Sequence, residues 1–327
     1  MSRRADEPMS DPDQKSQQTT DTVVMVRPAR FQRNPQTLSS NAFQARPLEL
    51  TPAQEQAAAL AEFNDLVTAL TAAGVAVIDF DDSPEPHTPD AVFPNNWVSF
   101  HDDGTVVLYP MEAENRRRER RTDIVETLSN ERGFRVNDIV DLTYHEREGR
   151  FLEGTGSMVL DRVSRVAYAC LSSRTHLDVL AEFGQRLDFD IVAFDAAGRS
   201  GRAIYHTNVM MCIGTSFAVV CADAIADAQQ REAVLARLGS SGREIVAIRR
   251  DQVARFAGNM LELRGADGQA LLVMSAQAHR SLETEQLRRL ESFARIVTAP
   301  IEHIELSAGG GVRCMIAEVF LPTAVSR

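Results

Sequence analysis

The sequence contains little cysteine, and its cysteines form no metal or disulfide pattern. The 327 residues include four, none in a CxxC pair and none at ligand spacing from a histidine. A disulfide framework and a zinc site are therefore not expected. Cys170, Cys212 and Cys221 lie in apolar, strand-like runs, which predicts buried free thiols. The fourth, Cys314, follows a run of three glycines instead.

Long apolar runs and an excess of basic charge are also missing. No apolar run approaches the roughly 18 residues that a membrane span needs. Residues 1–20 are polar and lack the apolar segment of a secretory signal, so we predict a disordered tail and a cytoplasmic protein. The formal net charge of −11 argues against nucleic acid. Neither nucleic acid nor a membrane is expected as a partner, and a homo-oligomer remains possible.

The chain contains one cluster of basic residues. Five arginines lie beside several glutamates in a segment of helical character: Arg116, Arg117, Arg118, Arg120 and Arg121. This pattern is typical of a solvated helix face, and an anion-binding patch is the alternative.

The remainder of the chain, residues 21–327, reads as one α/β domain. A first strand covers 22–27, and a helix runs from Pro52 to about Ala73, with Thr51 as its N-cap and Gly74 as its stop. A rhythm of hairpin, helix and strand then repeats several times. No GxGxxG follows the first strand, so a dinucleotide-binding fold is not indicated.

Residues 307–314 contain the first candidate site. Gly310 and Gly311 shortly precede Cys314, which is expected to open a strand. Glycines let a backbone approach a ligand closely, and a thiol at a loop–strand junction can be partly exposed, as a nucleophile must be. The alternative is a flexible turn that leads into a buried structural cysteine.

Three further segments place polar residues at turns. His206 precedes a strand, and Glu153 precedes a Gly-x-Gly turn, where a carboxylate can orient an imidazole. Asn95 and Asn96 lie in FPNNW, beside the only tryptophan. Taken singly, these segments also fit a structural histidine, an acidic turn residue and a surface turn.

Together these segments match one family. The chain contains, in order, MVRPxxFxxNxxT, FPNNW, LEGTGS, SSRT, YHTNVMM, FAGNML and GGxVRCM. This series resembles the pentein superfamily of guanidine-modifying enzymes, and within it the citrulline-utilisation hydrolases, an arginine-deiminase-related group. The resemblance covers about residues 24–322. It implies a five-bladed α/β propeller of ββαβ units around a central site, which forms a single catalytic domain that requires no metal or organic cofactor.

The resemblance also implies roles for individual residues. Cys314 matches the nucleophile, His206 the proton-transfer residue and Glu153 the acid that pairs with that histidine. Arg174 matches an arginine that grips the substrate α-carboxylate. The remaining expected substrate contacts are Asn34, Asn95, Asn96, Asn208 and the backbone N–H groups of Gly310 and Gly311.

Three departures from the deiminase pattern bear on the substrate. Arginine deiminases hold the guanidinium between two aspartates, and this chain has Asn96 and Asn208 there. Ser157 likewise replaces an aspartate. An amide suits a neutral ureido group, whereas a buried cation needs anionic partners. We therefore predict hydrolysis of citrulline to ornithine, ammonia and carbon dioxide. The alternatives are an arginine dihydrolase or deiminase, another guanidino substrate, or a non-catalytic binding protein on the same fold.

Overall fold

Five three-stranded sheets build the molecule. The structure, a computed structural model, describes residues 17–44 and 50–323. In four sheets an antiparallel hairpin is followed by a third strand that pairs in parallel with its second strand. The strands are β1 Thr22–Arg27, β2 Ala76–Asp81, β3 Val98–Phe100, β4 Thr105–Leu108, β5 Asp138–Asp141, β6 Val159–Asp161, β7 Val166–Cys170, β8 Asp190–Phe194, β9 Met211–Ile213, β10 Phe217–Val220, β11 Glu244–Ala247, β12 Leu261–Arg264, β13 Ala270–Ser275, β14 Arg295–Ala299 and β15 Ala317–Glu318.

Helices connect the second and third strands within each sheet, as a parallel pairing requires. The helices are α1 Pro52–Ala72, α2 Thr122–Asn130, α3 Gly154–Ser157, α4 Leu177–Leu187, α5 Ala228–Ser240, α6 Arg250–Val253, α7 Ala276–Ser281, α8 Thr284–Glu291 and α9 Glu302–Ala308. The expected cap of α1 is present as a reciprocal capping box, in which Thr51 and Gln54 bond each other's backbone N–H groups. No described helix is long and apolar enough to cross a membrane.

The two ends of the chain close the first sheet. β15 pairs antiparallel with β1, and β1 pairs in parallel with β2, so this sheet joins residues almost 300 positions apart. Each of the five sheets thus has the same pattern of one antiparallel and one parallel pairing. The five-bladed α/β propeller predicted from the resemblance is confirmed.

A short turn precedes the first strand of each hairpin and points toward the centre of the molecule. These turns are Pro94–Asn96 before β3, α3 before β6, Thr207–Val209 before β9, 254–258 before β12 and Val312–Met315 before β15. Four of them pack directly on one another. Apart from Arg174 and Asn34, the predicted site residues come from these turns and from the residues beside them, which explains how positions far apart in sequence meet.

Three local predictions are wrong. Cys314 does not open a strand: it lies in the 3-10 turn Val312–Met315, and β15 begins only at Ala317. The arginine-rich segment is not a solvated helix face, because a 3-10 turn over Arg116–Glu119 buries both of its end residues. The predicted tail also ends earlier than residue 20. The side chain of Gln18 is buried and donates to the carbonyls of Leu160 and Ile213. Residues 1–16 lie outside the described residues.

Candidate active site

A small pocket lies where the turns meet. Its lining residues are Asn41, Asp90, Phe93, Asn96, Arg116, Arg174, Tyr205, His206, Ala308, Gly309, Gly310 and Cys314. Of the predicted site residues, five line this pocket: Cys314, His206, Asn96, Arg174 and Gly310. Glu153 lies directly behind His206.

Cys314 contributes the thiol to this pocket. Only 2% of the residue is exposed, so the expected partial exposure is wrong, and access is through the pocket. Two side-chain amides approach the sulfur: Asn259 Nδ2 at 3.3 Å and Asn208 Nδ2 at 3.5 Å. Burial raises the pKa of the Cys314 thiol, and the hydrogen bond from Asn259 and the nearby Arg313 guanidinium oppose this shift.

His206 and Glu153 form a buried pair. The Nε2 atom of His206 lies 2.8 Å from Glu153 Oε2. A carboxylate only accepts, so Nε2 carries the proton and Nδ1 is left as an acceptor. Gly156 lies beside the ring, and a Cβ at this position would lie 2.7 Å from Nδ1 and 2.4 Å from the amide nitrogen of Asn96. Gly156 therefore has to be a glycine for the imidazole and the Asn96 amide to come this close.

In the pair of His206 and Glu153, the glutamate is ionised and the histidine is neutral. Burial lowers the pKa of His206 to about 4, even though the hydrogen bond to Glu153 opposes the shift. For Glu153, burial alone would raise the pKa, but Arg174 and the hydrogen bond from His206 outweigh it and hold the pKa well below the usual range. The resting histidine is thus neutral.

Arg174 lines the part of the pocket near Ser40 and Glu112, and its guanidinium is buried. Its Nε and Nη2 atoms lie 3.2 and 2.8 Å from the hydroxyl of Ser40. The same guanidinium is 3.2 Å from Glu112 Oε2 and 3.4 Å from Glu153 Oε2. The Ser40 oxygen thus occupies the two-donor edge that a substrate carboxylate would use.

Two charged residues of the pocket were not recognised as site residues from sequence. Arg116 lies within the arginine-rich segment, where its four neighbours concealed it. Its guanidinium is bonded bidentately to Glu119 and lies 3.6 Å from Asp90 Oδ2. Asp90 begins the run that contains FPNNW and accepts a 2.7 Å bond from Asn34 at the same oxygen. Its second oxygen, Oδ1, is buried with no partner among the described residues.

Four predicted contact residues lie outside the pocket. Asn34 stands behind Asp90, and Asn95 bonds the side chains of Thr155 and Asn96. Gly311 packs against the Asn259 side chain. Asn208 bonds the carbonyl of Thr155 and the sulfur of Cys314, so its amide approaches the thiol from behind instead of lining the pocket.

Sequence reasoning also overlooked Asn259, which touches the sulfur of Cys314. Asn259 lies in the FAGNML segment, which the motif series includes, but the sequence assigned no function to this residue. Among the described residues, no group of three or more His, Cys, Asp or Glu side chains could hold a metal ion.

A family model described as N,N dimethylarginine dimethylhydrolase, eukaryotic, matches residues 27–321. The chain belongs to this family. The family is part of the pentein superfamily, so the resemblance seen in the sequence motifs is confirmed. No curated protein matches the chain.

Solved structures of the same superfamily share the fold. ArgZ, an arginine dihydrolase from the ornithine–ammonia cycle in cyanobacteria, has a TM-score of 0.70 at 19% identity, over 92% of this chain and 41% of its own. The N-terminal domain of ArgZ, solved as a cysteine-to-serine mutant bound to substrate, has a TM-score of 0.69 at 18% identity. The match covers 92% of this chain and 99% of that domain. A dimethylarginine dimethylaminohydrolase, solved as an adduct with S-methyl-L-thiocitrulline, has a TM-score of 0.59 at 16% identity. The match covers 91% of this chain and 98% of that protein. This chain therefore spans about two fifths of full-length ArgZ.

Proposed function

We propose that this protein hydrolyses the ureido group of citrulline to ornithine, ammonia and carbon dioxide through a covalent intermediate on Cys314. One observation carries the proposal: at the thiol end of the pocket, the side chains that bond the sulfur of Cys314 among the described residues are the amides of Asn208 and Asn259. The carboxylate of Glu153, which bonds His206, is already shared with Arg174 and Arg116. A neutral ureido group fits these surroundings, whereas a buried guanidinium would lack an anionic partner.

The opposite end suits the zwitterion of an α-amino acid. Arg174 can exchange the Ser40 hydroxyl for an α-carboxylate, which accepts two parallel hydrogen bonds and adds charge complementarity. Asp90 Oδ1, buried without a partner among the described residues, can accept from an α-ammonium group. Burial raises the pKa of Asp90, whereas Arg116 and the bond from Asn34 oppose the rise. A cationic substrate group would add to that opposition.

The first half of the reaction forms the intermediate. Nδ1 of neutral His206 takes the proton of the Cys314 thiol as the sulfur attacks the ureido carbon. Glu153 then stabilises the imidazolium that results. The C–N bond to the ornithine nitrogen breaks, and this nitrogen takes the proton from Nδ1. The proposed donor to the developing oxyanion is the backbone around Gly310, which lines the pocket.

The second half releases the carbamoyl group. Nδ1 of His206, neutral again, takes a proton from water, and the hydroxide attacks the S-carbamoyl carbon. The sulfur leaves and regains a proton from the imidazolium. The carbamate that is released decomposes to ammonia and carbon dioxide. Each proton thus passes through one nitrogen atom, and no metal is needed for the balance of the reaction.

Arginine dihydrolase activity is the second candidate. It is favoured by the shared fold with ArgZ and with AgrE, a cysteine-to-alanine mutant of which was solved as a binary complex with L-arginine. In such a cycle the same cysteine would first release ammonia from arginine, and bound citrulline would then follow the route above. The unpartnered Oδ1 of Asp90 is compatible with either substrate, because both carry an α-ammonium group.

Purified protein should release ornithine and ammonia from citrulline without any added metal. The experiment incubates the protein separately with citrulline, arginine and dimethylarginine, and follows ornithine, citrulline and ammonia over time. Ornithine from citrulline and no turnover of the other two supports the proposal. Ornithine from arginine supports the dihydrolase. Citrulline accumulating from dimethylarginine, with citrulline itself unreactive, would overturn both.

Asn96→Asp is expected to shift specificity from citrulline toward arginine. Asn96 lines the pocket beside the imidazole, and an aspartate there would pair with a guanidinium but repel a ureido oxygen. The ratio of kcat/KM for arginine to that for citrulline should rise on the order of tenfold, or about 1.4 kcal/mol. Asn130→Asp, an equivalent change at the exposed end of α2, is the control. An unchanged ratio would mean that Asn96 does not contact the reacting group.

A further inference from the structure

The side chain of Asn259 joins the catalytic turn to the sulfur of Cys314. It is 1% exposed, and it projects from the turn before β12 toward the turn Val312–Met315. Its Nδ2 atom lies 3.3 Å from the Cys314 sulfur and 3.0 Å from the backbone oxygen of Asn208. Its Oδ1 atom accepts a 3.0 Å bond from the backbone N–H of Arg313. Both ends of the amide are therefore engaged.

The orientation of this amide follows from its backbone partners. The N–H of Arg313 can only donate, so it requires Oδ1 on its side. The carbonyl of Asn208 can only accept, so it requires Nδ2 on the other side. One N–H of Nδ2 points to that carbonyl, and the second is left for the sulfur. The rotation that exchanges oxygen and nitrogen, which often leaves an amide ambiguous, is excluded here.

The sulfur needs such a donor because no cation is bonded to it among the described residues. Nε2 of His206 is held by Glu153, and burial keeps this imidazole neutral, with a pKa of about 4. The Arg313 guanidinium is turned away and bonds Glu318 and the carbonyl of Ile316. The donors already bonded to the sulfur are the neutral N–H groups of Asn259 and Asn208, and these can stabilise a thiolate as it forms.

We propose that Asn259 is a catalytic residue whose Nδ2–H group stabilises the thiolate of Cys314, while its Oδ1 atom fixes the turn that carries this thiol. The inference rests on the proposed role of Cys314 as nucleophile. Asn208 supplies a second, longer bond to the same sulfur. Gly311 accommodates the arrangement, because a Cβ there would lie 2.6 Å from the Asn259 oxygen.

The decisive change is Asn259→Asp, which keeps the shape and the acceptor for Arg313 but replaces the donor at the sulfur with a carboxylate oxygen. The pH midpoint for alkylation of Cys314 by iodoacetamide should rise by about one unit or more, equivalent to a rate roughly tenfold lower at a fixed pH. Asn259→Ser, which is neutral, is the second variant and should raise the midpoint by a smaller amount. It keeps the test available if the aspartate variant does not fold.

The other groups around the thiol are the same in every variant. The charged and titratable side chains that line the pocket with Cys314 are Asp90, Arg116, Arg174, Tyr205 and His206. Glu153 lies behind the histidine, and the Arg313 guanidinium acts on the thiol only through its charge. A shift in the pH midpoint of Cys314 alkylation therefore results from the change at Asn259. Asn130→Asp, exposed on α2, is the matched control and should leave the midpoint unchanged.

Turnover separates a direct role from a structural one. Because Asn259 does not line the pocket, its variants should lower kcat for citrulline with little change in KM. An unchanged alkylation midpoint in both variants would overturn the proposal, even if Cys314→Ser abolished turnover. A raised midpoint in a protein that turns over neither citrulline nor arginine would instead overturn the proposed function and leave the role of Asn259 in place.

Discussion

Cys314→Ser is expected to lower kcat for citrulline by a factor on the order of 10⁴ or more. A serine hydroxyl is far less acidic than a thiol, and the neutral imidazole of His206 is too weak a base to activate it. The amide of Asn259 would then donate to an oxygen that never becomes a nucleophile. Substrate binding should survive, because the contacts proposed for the α-amino acid end do not involve the thiol.

Two measurements accompany this variant. The unchanged protein, quenched during turnover and digested, should carry a carbamoyl group on the peptide that contains Cys314, and the serine variant should not. Cys221→Ala is the control, because Cys221 lies in the core behind β10, outside the pocket, and it should keep wild-type kcat. A serine variant with activity within tenfold of the wild type would exclude Cys314 as the nucleophile.

The fold could be predicted from sequence because its repeats carry strong local signals. The capped α1 and the hairpins around β7 and β10 follow from turn residues and apolar runs. By contrast, β5 carries no such signal. Three of its four residues are exposed, so no burial pattern marks it, and only pairing with β4 makes it a strand. The closure of the first sheet by β15 is equally invisible, since it depends on the opposite ends of the chain meeting.

The site was predictable in its composition but not in its electrostatics. Motif order brought Cys314, His206 and Glu153 together correctly. Their protonation states depend on burial, which no motif encodes. Arg116 shows the same limit: its charge pattern is that of a solvated helix, and only the fold shows that its guanidinium is bonded within the core to Glu119.

Glu153→Gln is expected to lower kcat by a factor on the order of 10²–10⁴, the range for removing the carboxylate that orients a catalytic histidine. The carboxylate accepts the Nε2 proton of His206 and so leaves Nδ1 free to act as a base. A glutamine could present its N–H to Nε2 and favour the opposite tautomer, which would put the proton on Nδ1. It would also remove the charge that stabilises the imidazolium during turnover.

The pH dependence gives this variant a signature beyond loss of activity. Because Glu153 raises the pKa of His206, its removal lowers that pKa further below about 4. The acid limb of kcat/KM should therefore move to lower pH in the variant, even though the rate is reduced at every pH. Glu114→Gln, the same substitution at an exposed position, is the control and should leave both kcat and the acid limb of kcat/KM unchanged.

The same shift should be visible in stability. The folded-state pKa of His206 is about 4 and its ordinary value is 6.5, so between these values the unfolded chain binds a proton that the folded chain does not. The contribution of His206 to the free energy of unfolding therefore falls as the pH drops through this window. In Glu153→Gln the fall should continue to lower pH, as measured by urea unfolding at several pH values. If kcat stays within tenfold of wild type and the acid limb does not move, Glu153 neither orients nor stabilises His206.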